Sequence, residues 1–502
     1  MVHEEPNRAL LIINGEEMKS SAGTQLTREN PADSRRIVTV AEEASRDDTA
    51  HAVETAREAF DKDSTNWTKD FKLRTRVLNK TAELIRENSL LLARVISLEN
   101  GMPMRQAKPQ ALAAADVFEY YGGWAGKIYG QSMYLPNGAF IALTKEPVGV
   151  VGLITPWNFP YTQTARKLAP ALAAGCTAVM KPASYTPYSA YLLVNLMMKA
   201  GLPKGIVNLV HGKGSVTGAA IVTDRRVDMV SFTGENQTGQ FIMEKAAKDM
   251  KRIGLELGGK APFVVFDDAD LDSAARGLVF GMYRNAGQAC GSTTRLIVSK
   301  NIHDTFVDKT VQLVSSLRVG DPMQDRVDIG PVISKDQQEH ILGYVKSGLD
   351  DGFDLLCGGK APTDENLKHG YFINPTVFDN VDNDSKIAQE EIFGPVLTVM
   401  SFGSEAEAIE TANNTLYGLT AAVWTRDSAR GFRVSRQIKA GTVWINDNYT
   451  QPPEGIWGGF KQSGIGRELG PYGLDEFLEV KQVYMDTTGT PNRPHYSQVI
   501  SD

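Results

Sequence analysis

Residues 148–160, VGVVGLITPWNFP, decide the fold class of this 502-residue chain. The first seven are aliphatic or glycine, a composition typical of a strand that is buried on both faces of a sheet. Further elements follow, separated by Gly and Pro: a helix over 161–174, a strand at 177–180, a helix to about residue 200, and strands at 206–210 and 229–232. Alternation of strands and helices predicts an α/β fold with a parallel sheet.

Three residues fall where the predicted strands end: Asn158, Lys181 and Gly234. Parallel α/β sheets bind ligands at the carboxyl ends of their strands. We therefore expect these residues to lie along one ligand-binding cleft.

The remaining chain adds two further patterns. Residues 48–127 have the apolar periodicity of helices, with Gly101 and Pro103 separating two of them. A second α/β pattern extends from residue 261 to about 460. A chain of this length predicts two or three domains.

Composition excludes several classes of function. The chain is 42% hydrophobic and 23% charged, as expected of a globular protein, and its net charge of −7 provides no basic surface for nucleic acid. No apolar run reaches the roughly 18 residues of a membrane span. The acidic N-terminus has no signal-peptide pattern, so a cytoplasmic location is expected.

The cysteines and histidines predict neither a disulfide framework nor a metal site. Cys176, Cys290 and Cys357 are an odd number and are widely spaced, and the seven histidines have no ligand spacing. Unpaired cysteines are typical of a reducing compartment.

Cys290 is the main candidate catalytic residue. It lies in a turn of small residues, NAGQACG (285–291), just before a β-rich run, so its thiol could be accessible. A lone cysteine is more often a buried apolar residue. However, LELGGK (255–260) places the carboxylate of Glu256 at a strand end, and Asn158 offers a side-chain amide. A thiol, a base and an oxyanion donor are the components of covalent acyl chemistry.

Seven motifs occur in a fixed order along the chain. They are TPWNFP (155–160), MKPAS (180–184), FTG (232–234), ELGGK (256–260), GQAC (287–290), EEIFGP (390–395) and GGFKQSG (458–464). In these motifs the chain resembles the aldehyde dehydrogenase superfamily, from about residue 10 to residue 485.

The resemblance implies an architecture. A Rossmann-like cofactor domain would comprise residues 1–128 and 147–258, and an α/β catalytic domain residues 259–465. A β-arm of residues 129–146 and 475–490 would join subunits into a homodimer or homotetramer. The β-prone stretch GAFIALT (138–144) is consistent with such an arm.

The resemblance also implies NAD(P)-dependent oxidation of an aldehyde to a carboxylate. Cys290 would add to the aldehyde to form a thiohemiacetal, whose oxyanion is held by the Asn158 amide and the Cys290 backbone N–H. Loss of hydride to the nicotinamide leaves a thioester. Glu256 would then activate the water that releases the product.

The sequence lacks Gly-x-Gly-x-x-Gly, the usual dinucleotide-binding motif. In the superfamily, Gly234 instead begins a helix that faces the pyrophosphate. Glu235, which replaces the family's common Ser, places a carboxylate near that site. The predicted cofactor-binding residues are Thr155, Pro156, Trp157, Lys181, Ser184, Gly214, Phe232, Gly234, Gly258, Glu391 and Phe393.

Ser184 bears on the choice of cofactor. Many NAD-preferring relatives have Glu at this position, three residues after the lysine that reaches the adenosine ribose. Without that carboxylate a 2′-phosphate is not repelled, and Lys181 would attract it. The sequence therefore favours NADP, or use of both cofactors, over strict NAD.

Arg166, Arg284 and Trp457 are candidate substrate-binding residues. The two arginines match succinic semialdehyde dehydrogenases, in which arginines hold the substrate carboxylate. The loop 450–454, TQPPE, lacks the serine that supplies a third contact there, which argues against the assignment. Structural ion pairs for the arginines and a core position for Trp457 are the alternatives.

Three other functions are considered. A cofactor-independent thiol hydrolase would give Lys181, Gly234 and Glu391 no task, and a non-enzymatic structural member would be expected to have lost a catalytic residue. CoA-acylating dehydrogenases generally lack the base that Glu256 provides.

Overall fold

The computed structural model describes residues 5–489 and 494–500. Its helices are α1 (Arg46–Lys62), α2 (Phe71–Glu87), α3 (Ser89–Asn100), α4 (Met104–Trp124), α5 (Pro160–Ala174), α6 (Pro187–Lys199), α7 (Ala219–Thr223), α8 (Asn236–Ala247), α9 (Leu271–Tyr283), α10 (His303–Ser315), α11 (Lys335–Asp350), α12 (Lys386–Gln389), α13 (Glu405–Asn413), α14 (Ser428–Ser435) and α15 (Gly470–Asp475).

The strands are β1 (Asn7–Ala9), β2 (Leu11–Ile13), β3 (Glu16–Met18), β4 (Gln25–Asn30), β5 (Asp33–Glu42), β6 (Gln131–Tyr134), β7 (Ala139–Pro147), β8 (Val150–Thr155), β9 (Thr177–Pro182), β10 (Val207–Leu209), β11 (Met229–Thr233), β12 (Arg252–Glu256), β13 (Pro262–Val265), β14 (Arg295–Ser299), β15 (Asp354–Cys357), β16 (Thr376–Asp379), β17 (Val396–Phe402), β18 (Thr420–Trp424), β19 (Thr442–Ile445), β20 (Gly464–Ile465) and β21 (Leu478–Asp486).

The first large sheet is parallel at its centre. In the described ranges its order is β20-β12-β11-β8-β9-β10-β2-β3, and β12, β11, β8, β9 and β10 pair in parallel. Every residue of β8 and β9 is buried, as expected for strands covered on both faces. Helix α5 ends at Gly175, whose φ of 97° is left-handed. The predicted parallel α/β sheet is therefore confirmed.

The second large sheet follows the pattern predicted after residue 261. Within the described chain its order is β15-β16-β17-β14-β13-β18-β19, and all neighbours pair in parallel except β15 with β16. It has its own apolar core, which includes Phe263, Leu278 and Phe378. Residues 464–465, at the end of the range expected for the catalytic domain, instead pair as β20 with β12 of the first sheet.

The region between β5 and β6 is helical, as predicted for residues 48–127, with α1 to α4 separated by short breaks. Ser45 caps α1 through a reciprocal pair of bonds with Asp48. Strands β1 to β5, which precede these helices, were not predicted.

Besides a small sheet of order β1-β5-β4, the described residues form a three-stranded antiparallel sheet that is separate from the two large ones. Its order is β21-β7-β6, with β21 and β7 in register from Leu478 opposite Pro147 to Asp486 opposite Ala139. These strands occupy the ranges expected for the arm, 129–146 and 475–490, except that residue 490 lies outside the described residues. Of the nine residues in β21, all but Leu478 are exposed.

A search of the described residues finds no helix with the length and apolarity needed to cross a membrane.

Candidate active site

The turn before Cys290 has an unusual backbone. Asn285, Ala286 and Gly287 are consecutive residues with positive φ, at 51°, 55° and 74°. Positive φ is uncommon for residues with a side chain and indicates local strain. A Cβ on Gly287 would lie 2.3 Å from the carbonyl oxygen of Gly394, so this position also requires glycine for space.

The thiol of Cys290 is half-buried at the end of this turn. Burial raises its pKa to about 12, with the Glu391 carboxylate adding to the rise and the Arg166 guanidinium opposing it. The thiol is therefore protonated at neutral pH, and a nucleophilic thiolate requires transfer of its proton to a base.

Glycines bring the base and the nucleophile together. After β12 ends at Glu256, a Cβ on Gly259 would lie 2.4 Å from the Cys290 carbonyl oxygen. From the other side, a Cβ on Gly458 would lie 2.9 Å from Glu256 Oε1. The loop after Glu256 therefore lies against the Cys290 carbonyl, and the Gly458 backbone lies against the Glu256 carboxylate, with no space for a side chain at either glycine.

Glu256 is buried beside a second carboxylate. Burial raises its pKa well above the usual range, and the charge of Glu468 raises it further, against the opposing charge of Lys167. Lys167 Nζ donates to Glu468 Oε1 at 2.6 Å. Among the described residues Glu256 Oε2 has no hydrogen-bond partner. A raised pKa suits a group that must both accept and release a proton near neutral pH.

The amide of Asn158 is fixed against the cysteine turn. Asn158 Nδ2 donates to the Gln288 backbone carbonyl at 3.1 Å, and the Asn158 backbone carbonyl accepts from Asn285 Nδ2 at 2.9 Å. An amide nitrogen carries two hydrogens, so a second one remains for an oxyanion. The structure thus brings together the three residues predicted to be catalytic.

A cavity of about 820 Å³ lies at the carboxyl ends of the first sheet's strands. Seven of the eleven predicted cofactor residues line it: Thr155, Pro156, Trp157, Lys181, Gly214, Phe232 and Gly234. The volume is in the range of cavities that hold a small-molecule cofactor.

Helix α8 begins at this cavity, immediately after Gly234 and Glu235. The positive end of a helix attracts a pyrophosphate. The Glu235 side chain is exposed and accepts from Thr238 Oγ1 at 2.9 Å, so its carboxylate is held within the first turn of α8.

Lys181 and Ser184 meet at one carbonyl oxygen. Lys181 Nζ donates to Gly212 O at 3.2 Å and Ser184 Oγ donates to the same atom at 3.1 Å. Burial lowers the pKa of Lys181 to about 8. Ser184 does not itself line the cavity.

The other three predicted cofactor residues lie on the side of the cysteine. Glu391 Oε1 accepts from the backbone of Gly259 at 3.1 Å, and burial raises its pKa to about 7. A Cβ on Gly258 would lie 2.2 Å from Glu391 Oε2. The Phe393 ring packs edge-on against Trp157, with centroids 5.3 Å apart. These contacts connect the cavity with Cys290.

Sequence reasoning missed several residues of the cavity, including Tyr185, Val222 and Phe241. Tyr185 directly follows the MKPAS motif and could have been included for that reason. Val222 and Phe241 lie on α7 and α8 and have no motif of their own; only the placement of both helices identifies them.

The candidate substrate residues form one aromatic and cationic cluster. The Arg166 guanidinium lies 5.2 Å from the centroid of Trp457, which is only 2% exposed. The Arg284 guanidinium lies over three rings, 4.9 Å from Phe159, 5.8 Å from Phe280 and 5.4 Å from Tyr449. Among the described residues neither arginine forms an ion pair, so the alternative of structural ion pairs has no support.

Arg284 also lines a second cavity, of about 650 Å³, between α4, α9 and α10. Pro109, Phe280 and Leu317 contribute to its apolar wall. This cavity reaches the start of the cysteine turn, because Arg284 directly precedes Asn285.

The two cavities, the buried carboxylate and the cysteine turn fit the comparisons with known proteins. Residues 18–483 match the model of the aldehyde dehydrogenase family. The chain belongs to the aldehyde dehydrogenase family. It is 42% identical to betaine aldehyde dehydrogenase of Bacillus subtilis, over 95% of this chain and 97% of that protein. It is 43% identical to aldehyde dehydrogenase 1A1 of Gallus gallus, over 94% of this chain and 92% of that protein.

Solved structures that resemble this chain are also aldehyde dehydrogenases. A crystal structure of betaine aldehyde dehydrogenase from Staphylococcus aureus in complex with NAD+ has a TM-score of 0.94 and 38% identity, covering 96% of this chain and 95% of that chain. An NAD-dependent aldehyde dehydrogenase from Sinorhizobium meliloti has the same TM-score with 39% identity, over 97% and 96% of the two chains. The predicted α/β architecture and family are both confirmed.

Substitution Gly259→Ala should damage the site through its backbone. The new Cβ would collide with the Cys290 carbonyl, and overpacking of this kind costs about 1–3 kcal/mol of folding free energy. Displacement of the nucleophile by the order of 1 Å should lower kcat/KM about 100-fold. Thermal unfolding and initial rates measure both effects.

The matched control is Gly343→Ala in α11, where nothing lies within 4 Å of the new Cβ. It should leave activity intact. Equal activity of the two variants would contradict the proposed close approach.

Proposed function

We propose that this aldehyde dehydrogenase oxidises a carboxylated aldehyde with NAD(P)+, with Cys290 as nucleophile and Glu256 as base. The observation that carries the assignment of roles is that the glycine loop following Glu256 lies directly against the Cys290 carbonyl. A cofactor-independent hydrolase would leave the 820 Å³ cavity and Lys181 without a task.

The chain's own residues account for each proton. Sγ of Cys290 bonds to the aldehyde carbon while its proton passes to Glu256, and the oxyanion accepts from Asn158 Nδ2 and the Cys290 N–H. Bound NAD(P)+ supplies the hydride acceptor. After the hydride has left, Glu256 releases the proton it took from Cys290 to solvent, and the ionised carboxylate then removes a proton from the water that attacks the thioester. This second proton passes to the Cys290 sulfur, and the acid product loses its remaining proton to solvent. The C–S bond breaks, and the products are the carboxylate and the free thiol.

Glu256→Gln should impair thioester hydrolysis most, because the amide cannot accept the proton from water. The thioester should accumulate and be detected by mass spectrometry as the acyl adduct on the peptide that carries Cys290. Wild-type turnover should rise with pH through an apparent pKa well above 4.5, since burial and Glu468 disfavour the ionised base.

The control is Glu244→Gln, at an exposed carboxylate on α8. A rising limb that ends near pH 4.5, or full turnover by Glu256→Gln, would refute the role of Glu256.

For the cofactor, the S. aureus relative binds NAD+, and the cavity lining here is consistent with the same ligand class. A Cβ on residue 234 would lie 2.4 Å from the Phe232 ring. Only glycine at this position therefore leaves the space before the first turn of α8 accessible to a ligand. Lys181 would reach the adenosine ribose and Glu391 the nicotinamide ribose. Ser184 leaves no carboxylate next to Lys181, and we propose that NADP is used at least as well as NAD.

Ser184→Glu should move the preference towards NAD. The added carboxylate accepts from both ribose hydroxyls and repels a 2′-phosphate. We expect the ratio of kcat/KM for NADP to that for NAD to fall at least about tenfold, on the order of one charge-assisted hydrogen bond. Ser215→Glu, which adds a carboxylate to the cavity lining at a different position, is the control for the added charge. An unchanged ratio would show that position 184 does not contact the ribose.

For the substrate, the charge of the cluster around Trp457 favours an anion. Betaine aldehyde, for which two relatives are named, is a quaternary ammonium, and proteins recognise such cations with aromatic cages. In this chain the guanidinium of Arg284 lies over the rings of Phe159, Phe280 and Tyr449, so these rings already contact a cation of the protein. Burial also lowers the pKa of Arg284, because its guanidinium loses hydration there, and no carboxylate in the described part of the chain forms an ion pair with it. An anionic aldehyde supplies such a partner.

Arg284→Leu should therefore act selectively. Loss of a charge-assisted bond to a carboxylate is worth roughly 1.5–3 kcal/mol, or about 10- to 100-fold in kcat/KM for 4-oxobutanoate. Benzaldehyde should be affected much less, and betaine aldehyde should gain. Arg276→Leu, an exposed arginine at the same cavity, controls for the lost charge. An equal loss for all three aldehydes would indicate a structural role.

Two further assignments complete the proposal. The exposed apolar residues of β21, Val480, Val483, Tyr484 and Met485, would pair with a second copy of the chain, giving a homodimer or homotetramer. The three unpaired cysteines favour the cytoplasm as the location.

A further inference from the structure

Glu235 places a negative charge in the cavity expected to hold the dinucleotide. It lines the cavity of about 820 Å³ and is the N-terminal capping residue of α8. Gln237 and Thr238, in the first turn of that helix, line the same cavity. The start of a helix normally attracts the anionic groups of a ligand. A carboxylate at this position therefore opposes the binding of an anionic pyrophosphate.

The Glu235 carboxylate competes with a ligand for the positive end of α8. Its Oε1 accepts from Thr238 Oγ1 at 2.9 Å, which keeps the charge beside the first turn. The side chain forms no capping bond to the backbone N–H groups of that turn, so those donors stay available. The positive end of a helix amounts to only about half a unit charge. A full negative charge next to it therefore outweighs the attraction for an anion.

The charge of Glu235 is not compensated within the cavity. In residues 5–489 and 494–500 no lysine or arginine forms an ion pair with it. Of the described residues that line the cavity, Glu235 is the one carboxylate and Lys181 the one cation. Lys181 Nζ already donates to two backbone carbonyls, those of Pro182 and Gly212. A bound anion would meet the Glu235 charge without a neighbouring cation to offset it.

The effect of this charge extends into the interior of the site. Burial raises the pKa of Glu391 to about 7, and the Glu235 carboxylate adds to the rise. Glu391 accepts from the backbone of Gly259, on the side of the cavity towards Cys290. Glu235 therefore acts on groups along the path of the cofactor and not on solvent alone.

We propose that Glu235 determines cofactor affinity: its carboxylate weakens binding of the dinucleotide pyrophosphate and speeds release of the reduced cofactor. Affinity differences between related complexes lie mostly in the dissociation rate. The family commonly has a neutral serine at this position, so the effect is expected to be particular to this chain. The inference depends on the use of NAD(P) and not on the identity of the aldehyde or on the choice between the two nucleotides.

Neutral substitutions at position 235 test the effect on binding. Glu235→Gln keeps the shape of the side chain and an oxygen that can accept from Thr238, and Glu235→Ser introduces the family's common residue. In both, the Kd for ADP, which has a pyrophosphate but no nicotinamide, should fall about 10-fold. The Kd values for NAD+ and NADP+ should fall by the same factor. Calorimetry in a buffer without divalent cations, which would bridge two anions, measures all three.

Three controls separate charge from shape. Glu235→Asp keeps the charge, and its Kd for ADP should stay within about threefold of wild type. Glu244→Gln removes an exposed carboxylate further along α8 and should change the Kd by less than about twofold. Adenosine, which has no phosphate, should displace ADP from wild type and from Glu235→Gln with the same inhibition constant. Thermal unfolding of each variant checks its folding.

A rate and a salt series give independent readouts. The dissociation rate of NADH, followed by fluorescence in a stopped-flow instrument, should fall about 10-fold in Glu235→Gln. Salt should reduce the difference between wild type and this variant. In 1 M salt, where charges further apart than about 3 Å are screened, the two Kd values for ADP should differ by less than about threefold.

Three results would overturn the role of Glu235. They are an unchanged Kd for ADP and NAD+ in both neutral variants, weaker binding in both, or an equal gain for adenosine, which would indicate a change in cavity shape. Lower Kd values for ADP and both dinucleotides, with adenosine unaffected, support it. These measurements contain no aldehyde, so their failure leaves the proposed carboxylated substrate untouched. The ratio of the Kd values for NADP+ and NAD+ should stay constant in the Glu235 variants, whereas Ser184→Glu should change it.

Discussion

The contact between the loop after β12 and the carbonyl of Cys290 is the constraint on which the rest of the site depends. At Gly259 there is space for a hydrogen and for no larger group. One large sheet contributes the base through this loop, and the chain entering the other contributes the nucleophile. If the loops were separated by even one methyl group, the thiol, the carboxylate and the cofactor cavity would no longer share one reacting point.

Burial raises the pKa of both the Cys290 thiol and the Glu256 carboxyl group, with different consequences for each. It keeps the Cys290 thiol protonated and raises the proton affinity of Glu256, so neither is reactive by itself. The Cys290 thiol must lose a proton to become a nucleophile, and the Glu256 carboxylate can accept that proton. Arg166 lies close enough to favour the ionised form of both. One guanidinium therefore influences the ionisation of both the thiol and the carboxylate.

The sequence was most informative where physical requirements are local. Strands β8 and β9 are buried throughout and were recognised from their composition, and Gly175 ends α5 as expected. Cys290, Glu256 and Asn158 could be named because each lies in a short motif at a strand end or turn. The left-handed backbone conformation of Ala286 could not be predicted, because alanine rarely adopts a positive φ. The bond between Arg166 and Gln451 joins residues 285 positions apart and depends on how both sheets are placed.

The pairing of β20 with β12 has a mechanical consequence. The chain crosses from the first sheet to the second after Glu256 and returns at Gly464, which pairs opposite that same glutamate. Leu257 N donates to Ser463 O at 2.9 Å, and Ser463 Oγ donates to Gly258 O at 2.7 Å, so outgoing and returning segments are bonded to each other. A hinge motion that separated the two large sheets would have to break these hydrogen bonds next to Glu256. The two strands that connect the sheets are thus fastened to each other at the residue that carries the catalytic carboxylate, which resists movement of one sheet relative to the other at that point.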